Sequence, residues 1–136
     1  EAAATSRGLR VVAARVGSGE ALFPALQKVL DDADVLLALA DPQIYHGGSI
    51  QNILLSSVRV RVPMVAFSPA YVKAGALAAV YATPTQIGHQ AATLARAVLQ
   101  GRGLPGAPQY SREFEISVNL PVAHALALSS GCMQQS

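Results

Sequence analysis

The chain has 136 residues, of which 51 % are hydrophobic and 13 % charged, which excludes a disordered segment and suits one domain or a piece of one. Its net charge of +2, with scattered basic residues and lysine only at positions 28 and 73, argues against a nucleic-acid surface, which needs clustered cations. Its uninterrupted apolar runs stop well short of the ~18 residues that suggest a membrane span.

Residues 1–8 read as the last turns of a helix, with high-propensity Ala2-Ala3-Ala4 and Gly8 suited to its C-terminal end. The chain opens on Glu1 without a basic segment leading into an apolar core, so it is expected to be a processed or truncated product with no visible signal peptide. Residues 9–16, rich in valine, predict a strand, and Gly17-Ser18-Gly19 a turn. Pro24 belongs in the first turn of the helix that follows, where its missing N–H costs nothing; Leu26, Val29 and Leu30 supply the buried face.

The centre of the chain, residues 34–83, repeats one pattern three times: an apolar run gives way to a loop carrying polar and aromatic groups. Val35-Leu36-Leu37-Ala38-Leu39-Ala40 is stopped by Asp41-Pro42 and the loop Gln43-Ile44-Tyr45-His46-Gly47-Gly48. A helix capped by Ser49 follows, with Ile50, Ile53, Leu54 and Val58 inward, and Arg59 and Arg61 at its end complement the helix dipole. Residues 63–67 and 77–82 are further short runs, ending at Ser68-Pro69-Ala70-Tyr71 and at Thr83-Pro84, with a short helix or turn over 70–75 between them. Short apolar runs bounded by turn signals predict strands buried on both faces.

Thr83-Pro84-Thr85 starts the longest helix, which carries Ile87, Ala91, Leu94, Ala95 and Leu99 on one face and stops at Gly101. A Gly- and Pro-rich loop leads to Phe114-Glu115-Ile116-Ser117-Val118, whose alternation predicts a half-exposed strand, and Asn119 caps a last helix over 121–128. The tail holds Cys132, the sole cysteine, so no intramolecular disulfide forms. Strands alternating with helices imply right-handed crossovers, a mostly parallel sheet and the α/β class.

Chemistry is sparse. Gly17-Ser18-Gly19-Glu20-Ala21-Leu22 fits the dinucleotide fingerprint poorly, with leucine at the third glycine position and an anion at Glu20, so a plain turn is expected. Asp41 ends a strand, as a phospho-acceptor would, but no further carboxylates stand near it for a divalent metal. It reads as a turn-capping group that can also touch a ligand. His46, His89 and His124 lack metal-site spacing, and no ordered Ser/Asp/His set can be drawn, so neither a metal, a cofactor nor catalysis is predicted. Tyr45, Tyr71 and Tyr81 fall at or beside the loops that follow the strands; a phenol has an apolar face and a polar tip, which suits a small-ligand site. Tyr81 reads equally well as a core residue of its strand.

The segment from Ser68 to Ala79, SPAYVKAGALAA, joins Ala38-Leu39-Ala40-Asp41-Pro42 upstream, Thr85-Gln86-Ile87-Gly88-His89-Gln90-Ala91-Ala92 downstream and Ile116-Ser117-Val118-Asn119 near the end. As an ordered set these resemble the ABC-transporter substrate-binding protein family, in the branch with tryptophan- and tyrosine-type binding proteins. The resemblance implies one of two α/β lobes of a periplasmic-binding-protein type I-like clamp, present as its carboxyl-terminal half. Residues 1–83 would be the second lobe without its first strand, 84–112 a helix and loop packed on the first lobe, and 113–136 the hinge strand, terminal helix and tail.

By the same resemblance the ligand contacts are Asp41, Gln43, Tyr45, Ser68 and Tyr71, with Ser18 a weaker candidate. The partners implied are a small molecule and a membrane permease, in the periplasm or outside the cell, with no nucleic acid. Some relatives carry an acidic pair where this chain has Ser68-Pro69-Ala70, so an amino acid and a neutral or aromatic molecule are equally open as ligands. A half-clamp is expected to self-associate or to need its other half. The competing expectations are a ligand-sensing domain of the same fold in a signalling protein, and a small α/β nucleotide-using enzyme.

Overall fold

The computed structural model describes residues 2–17, 21–103 and 105–126. Ten elements follow one another: α1 (Ala2–Thr5), α2 (Leu22–Asp32), β1 (Leu36–Leu37), α3 (Ile50–Arg59), β2 (Met64–Ala66), α4 (Pro69–Ala74), β3 (Ala78–Tyr81), α5 (Pro84–Leu99), β4 (Glu115–Val118) and α6 (Leu120–Ala125). The strands form one sheet in the order β1-β2-β3-β4, parallel across the first three, with β4 antiparallel to β3. This is the mostly parallel α/β architecture that the alternation of elements predicts. Among the described residues no helix is long and apolar enough to cross a membrane.

Register decides which side chains share a face. Leu36 aligns with Met64, and Ala66 with Ala79 and then Ser117; Leu37 aligns with Val65, and Val65 with Ala78 and then Val118. The first set lies against the helices. Leu36, Ala38, Met64, Ala66 and Ala79 form one cluster with Leu26 and Leu30 of α2, Ile53 and Leu54 of α3 and Val72 of α4. Right-handed crossovers that step across a sheet in one direction put all their helices on one face, and β1-α3-β2-α4-β3 does so. Alanine at 66, 76 and 79 lets the helices approach closely, and all three are buried.

The second set faces away from those helices and is largely bare. Val35, Leu37, Leu39, Val80, Ile116 and Val118 are between 38 % and 67 % exposed. The alternation in β4 therefore sends its apolar side chains to the uncovered face, while Ser117 sits on the helical side opposite Ala79.

Local chemistry explains the ends of the elements. Thr83 and Gln86 form a reciprocal capping box at α5, with Pro84 in the first turn and Gly101 in the left-handed region beyond its end. Asn119 caps α6 by accepting from the Val122 N–H at 3.2 Å, while its own amide donates to the Val72 carbonyl at 2.9 Å, tying α6 to α4. Arg61, after α3, is the one non-glycine with positive φ (60°) among the described residues.

Five expectations need correction. Val58, expected inward on α3, is 51 % exposed, and Ser57 takes the buried position one residue earlier. The strands expected to be buried on both faces are covered on one only, because all the crossover helices lie on the same side. Residues 9–16 form no strand: they run as irregular chain without a ladder partner, because β1 stands at the sheet edge and nothing bridges the two. Ser49 does not cap α3 through its side chain. Its buried hydroxyl instead donates to the Ile44 and His46 carbonyls and accepts from the His46 N–H, which fastens the loop ahead of the helix. The β1 ladder spans two residues rather than the whole apolar run, as an edge strand paired on one side would.

Candidate functional site

In an open parallel sheet, loops at the carboxyl ends of the strands line the ligand crevice. Here the loops after β1 and β2 meet. Tyr45 of the first stands edge-on to Phe67 of the second and to Tyr71 of α4, into which the second loop leads, with ring centroids 6.0 and 6.4 Å away and interplanar angles of 74° and 80°. Phe67 and Tyr71 are tilted against each other at 4.8 Å and 57°. All three rings are half-buried and pack their inner sides on the core. The result is an aromatic wall at the end of the sheet, anchored from behind and partly open in front.

The first loop is held in shape by its own groups. The Asp41 carboxylate accepts from the Gln43 N–H at 2.9 Å, and the Asp41 carbonyl accepts from the N–H groups of Tyr45 at 2.8 Å and Ile44 at 3.2 Å. His46 Nδ1 accepts from the Gly48 N–H at 3.2 Å. Every bond serves to turn the chain so that Tyr45 faces the second loop while Asp41 and Gln43 stay exposed beside it. In the second loop Ser68 caps α4, its hydroxyl accepting a long 3.4 Å bond from the Ala70 N–H. Pro69 fits the first turn of that helix because its missing N–H has no intrahelical partner there. Tyr71 lies one turn along.

Electrostatics at the wall favour a neutral phenol. Burial pushes the Tyr45 hydroxyl above its ordinary pKa of 10.0, and Tyr71 and the Asp41 carboxylate add to the shift. Tyr45 therefore presents a hydrogen-bonding O–H at neutral pH. Among the described residues no group of three or more His, Cys, Asp or Glu side chains could hold a metal ion, and no buried side-chain polar atom lacks a partner.

Of the six residues singled out in the sequence, the structure brings Tyr45 and Tyr71 into ring contact with Asp41 beside Tyr45, and it places Gln43 and Ser68 on the same two loops. Ser18, the sixth, lies outside the described residues, as do Gly19 and Glu20 of the glycine-rich turn. Tyr81 stands apart from the wall. It pairs across the ladder with Glu115, and its hydroxyl donates to that carboxylate at 3.2 Å. Desolvation raises its pKa first, and the bond and charge of Glu115 raise it further. The residue that sequence reasoning missed is Phe67. It closes the apolar run of β2 and so reads as one more strand residue, yet it stands immediately before the cap Ser68, where side chains turn toward the crevice.

A second concave surface lies along α5. Gln90 clasps the connection to β4 there: its amide donates to the Tyr110 carbonyl at 2.8 Å and its oxygen accepts from the Arg112 N–H at 3.0 Å. Gln86, His89 and Thr93 line the groove with Gln109 and Glu113 opposite. No residue of α5 is buried, and Leu99 is 88 % exposed.

Known proteins agree with the architecture. A solved structure of a conserved domain protein from Vibrio cholerae O1 biovar El Tor superposes with a TM-score of 0.66 at 25 % identity, over 94 % of this chain and 43 % of that one. The Streptococcus pneumoniae "ABC domain in complex with L-Trp" gives 0.66 at 21 % identity, over 93 % of this chain and 42 % of that one. The chain thus spans less than half the length of either. No curated protein matches it. The family model described as "ABC transporter substrate binding protein" matches residues 1–129, and the chain belongs to that family.

Proposed function

We propose that this chain is a lobe of the solute-binding component of an ABC-type uptake system, with the aromatic wall as its ligand surface. The observation that carries the reading is the convergence of Tyr45 and Phe67 from two loops, and of Tyr71 from the start of α4, at the carboxyl end of the sheet. Ring faces and edges fixed by packing give an apolar group area to cover at little entropic cost. Tyr45 O–H, Asp41 and Gln43 beside them supply polar groups for orientation, and Ser68 completes the rim. The solute this suits is a small molecule with a planar or aromatic part, bound by contact and released unchanged; no step of chemistry is needed.

In this reading the chain is the carboxyl-terminal portion of a two-lobe clamp. Residues 84–112 pack on a first lobe and residues 114–118 return through the hinge. Closure over the solute selects the bound state, and a membrane permease receives the cargo at the periplasmic or outer side. Family membership supports this placement, as does α5, a helix with no buried residue of its own.

A thermal-shift screen of the natural protein against aromatic amino acids, nucleobases and small aromatic acids tests the reading. A ligand at a hundred times its dissociation constant adds about 2.7 kcal/mol of stability. Tyr71→Ala and Phe67→Ala should remove that shift, while Arg96→Ala, far along α5, leaves it intact. Binding that survives loss of both rings rejects the aromatic wall as the site.

A further inference from the structure

We infer that Asn119 is a positioning residue for the aromatic wall: its side-chain amide ties the end of β4 to α4, and this tie sets where Tyr71 stands against Tyr45 and Phe67. It rests on the reading of that wall as the ligand surface and goes beyond it, because Asn119 stands outside the two loops.

Helix α4 cannot hold its own position. It has six residues, Pro69–Ala74, and an isolated helix that short is not stable in water. At its start the Ser68 hydroxyl accepts a weak bond from the Ala70 N–H at 3.4 Å. Yet Tyr71 must keep a fixed direction to meet the rings of Tyr45 at 6.4 Å and Phe67 at 4.8 Å. What fixes α4 lies at its other end. Val72 is buried in the core cluster that holds Ala66, Ala76 and Ala79. The Ala76 N–H donates to the Tyr71 carbonyl at 2.8 Å, past Gly75 at a φ of 123°. The Val72 carbonyl accepts from the Gly75 N–H at 3.2 Å and, from 47 residues along the chain, from the Asn119 amide at 2.9 Å. Among the described residues no other side-chain hydrogen bond reaches α4 from outside its own segment. Consecutive residues stand about 100° apart around a helix. With the Val72 side chain in the core and its carbonyl on Asn119, α4 has no freedom to turn, and the direction of Tyr71 follows.

Asn119 is itself fixed. Its N–H donates to the Leu77 carbonyl at 2.8 Å, just before β3, and its carbonyl accepts from the Ala123 N–H at 2.9 Å. Its side-chain oxygen accepts from the Val122 N–H at 3.2 Å. Both ends of the side-chain amide are therefore used, and by different elements. A cap needs the oxygen alone, and serine, threonine or aspartate supplies one as well. None of them offers an N–H in place of the amide nitrogen, so the donor to Val72 is what the cap leaves unexplained. The wall is thereby carried on β4, the strand that returns through the hinge in the proposed clamp.

Nuclear magnetic resonance of the natural protein, with its tyrosine and phenylalanine rings isotopically labelled, tests this without a solute. Asn119→Ser keeps an oxygen to cap α6 and removes the donor to Val72. In that variant the cross-peaks between the Tyr71 and Tyr45 rings should be lost, while those between Tyr45 and Phe67 remain. Leu30→Ala, in the last turn of α2, is the control for lost stability alone: it should lower the melting temperature and leave every ring cross-peak in place. Unchanged Tyr45–Tyr71 cross-peaks in folded Asn119→Ser overturn the inference, because Asn119 is then a cap and nothing more. Where the serine variant does not fold, the unsubstituted protein decides. Side-chain amide protons of Asn119 that exchange as fast as those of an exposed asparagine overturn the inference, and slowed exchange supports it. No solute enters these measurements, so failure of the ligand reading in the thermal-shift screen and failure of this inference are separate results.

Discussion

The two faces of the sheet are built from the same strands and nearly the same residue types, yet their environments are opposite. Met64, Ala66 and Ala79 on one side are at most 3 % exposed; Leu37, Val80 and Ile116 on the other are 47 % or more. Hydrophobicity selects strands, but the direction in which the chain steps across the sheet selects the face its helices cover. An apolar residue contributes to stability only where topology has put a partner against it.

The sharpest way to test that contrast is to truncate one large side chain from each face. Ile53→Ala, at 1 % exposure in the helix-covered core, should cost about 2–5 kcal/mol. Leu37→Ala should change the stability of the same chain by less than about 0.5 kcal/mol. Urea denaturation of both variants reads the difference, and equal losses would mean that the bare face is covered in solution.

Asn119→Ala probes the junction between β4 and the helical layer. It removes a cap on α6 and the bond to the Val72 carbonyl, and should cost about 1–2 kcal/mol by the same measurement. Asn119→Asp keeps the cap but sets a carboxylate oxygen against the Val72 carbonyl, and should cost at least as much as the alanine variant.

The aromatic wall adds a pH dependence that the bare face lacks. With its folded pKa raised above 10.0, Tyr45 holds its proton more firmly in the folded state than in the unfolded chain. Its contribution is fully present below pH 10 and is lost as pH rises through the raised value. An ultraviolet titration should show two tyrosines, Tyr45 and Tyr81, ionising later than an ordinary phenol, with one of these late steps missing in Tyr45→Phe, and the denaturation midpoint should fall over the same alkaline range.

The smallest effect is expected at Arg61, whose φ of 60° costs a β-carbon-bearing residue free energy that glycine avoids. Arg61→Gly should stabilise the chain by about 0.5–1 kcal/mol in thermal melts. Neither face of the sheet should respond.

The sequence by itself determined what is local. Pro84 and Gly101 bracket α5, Asn119 starts α6, and Asp41-Pro42 ends the first apolar run, because caps and turns are made by neighbours in the chain. It also carried the order of elements and the loops from which Asp41, Tyr45 and Tyr71 come. Tertiary structure decided the rest. Whether residues 9–16 become a strand depends on a partner elsewhere, and valine content alone supplies no hydrogen bonds. Ser49 has the right residue type for a cap, but its hydroxyl is taken by the carbonyls of Ile44 and His46. Phe67 joins Tyr45 and Tyr71, and Tyr81 leaves them for Glu115, because register and crossover direction set those neighbours. Pairing and coverage are non-local choices, made only when distant parts of the chain meet.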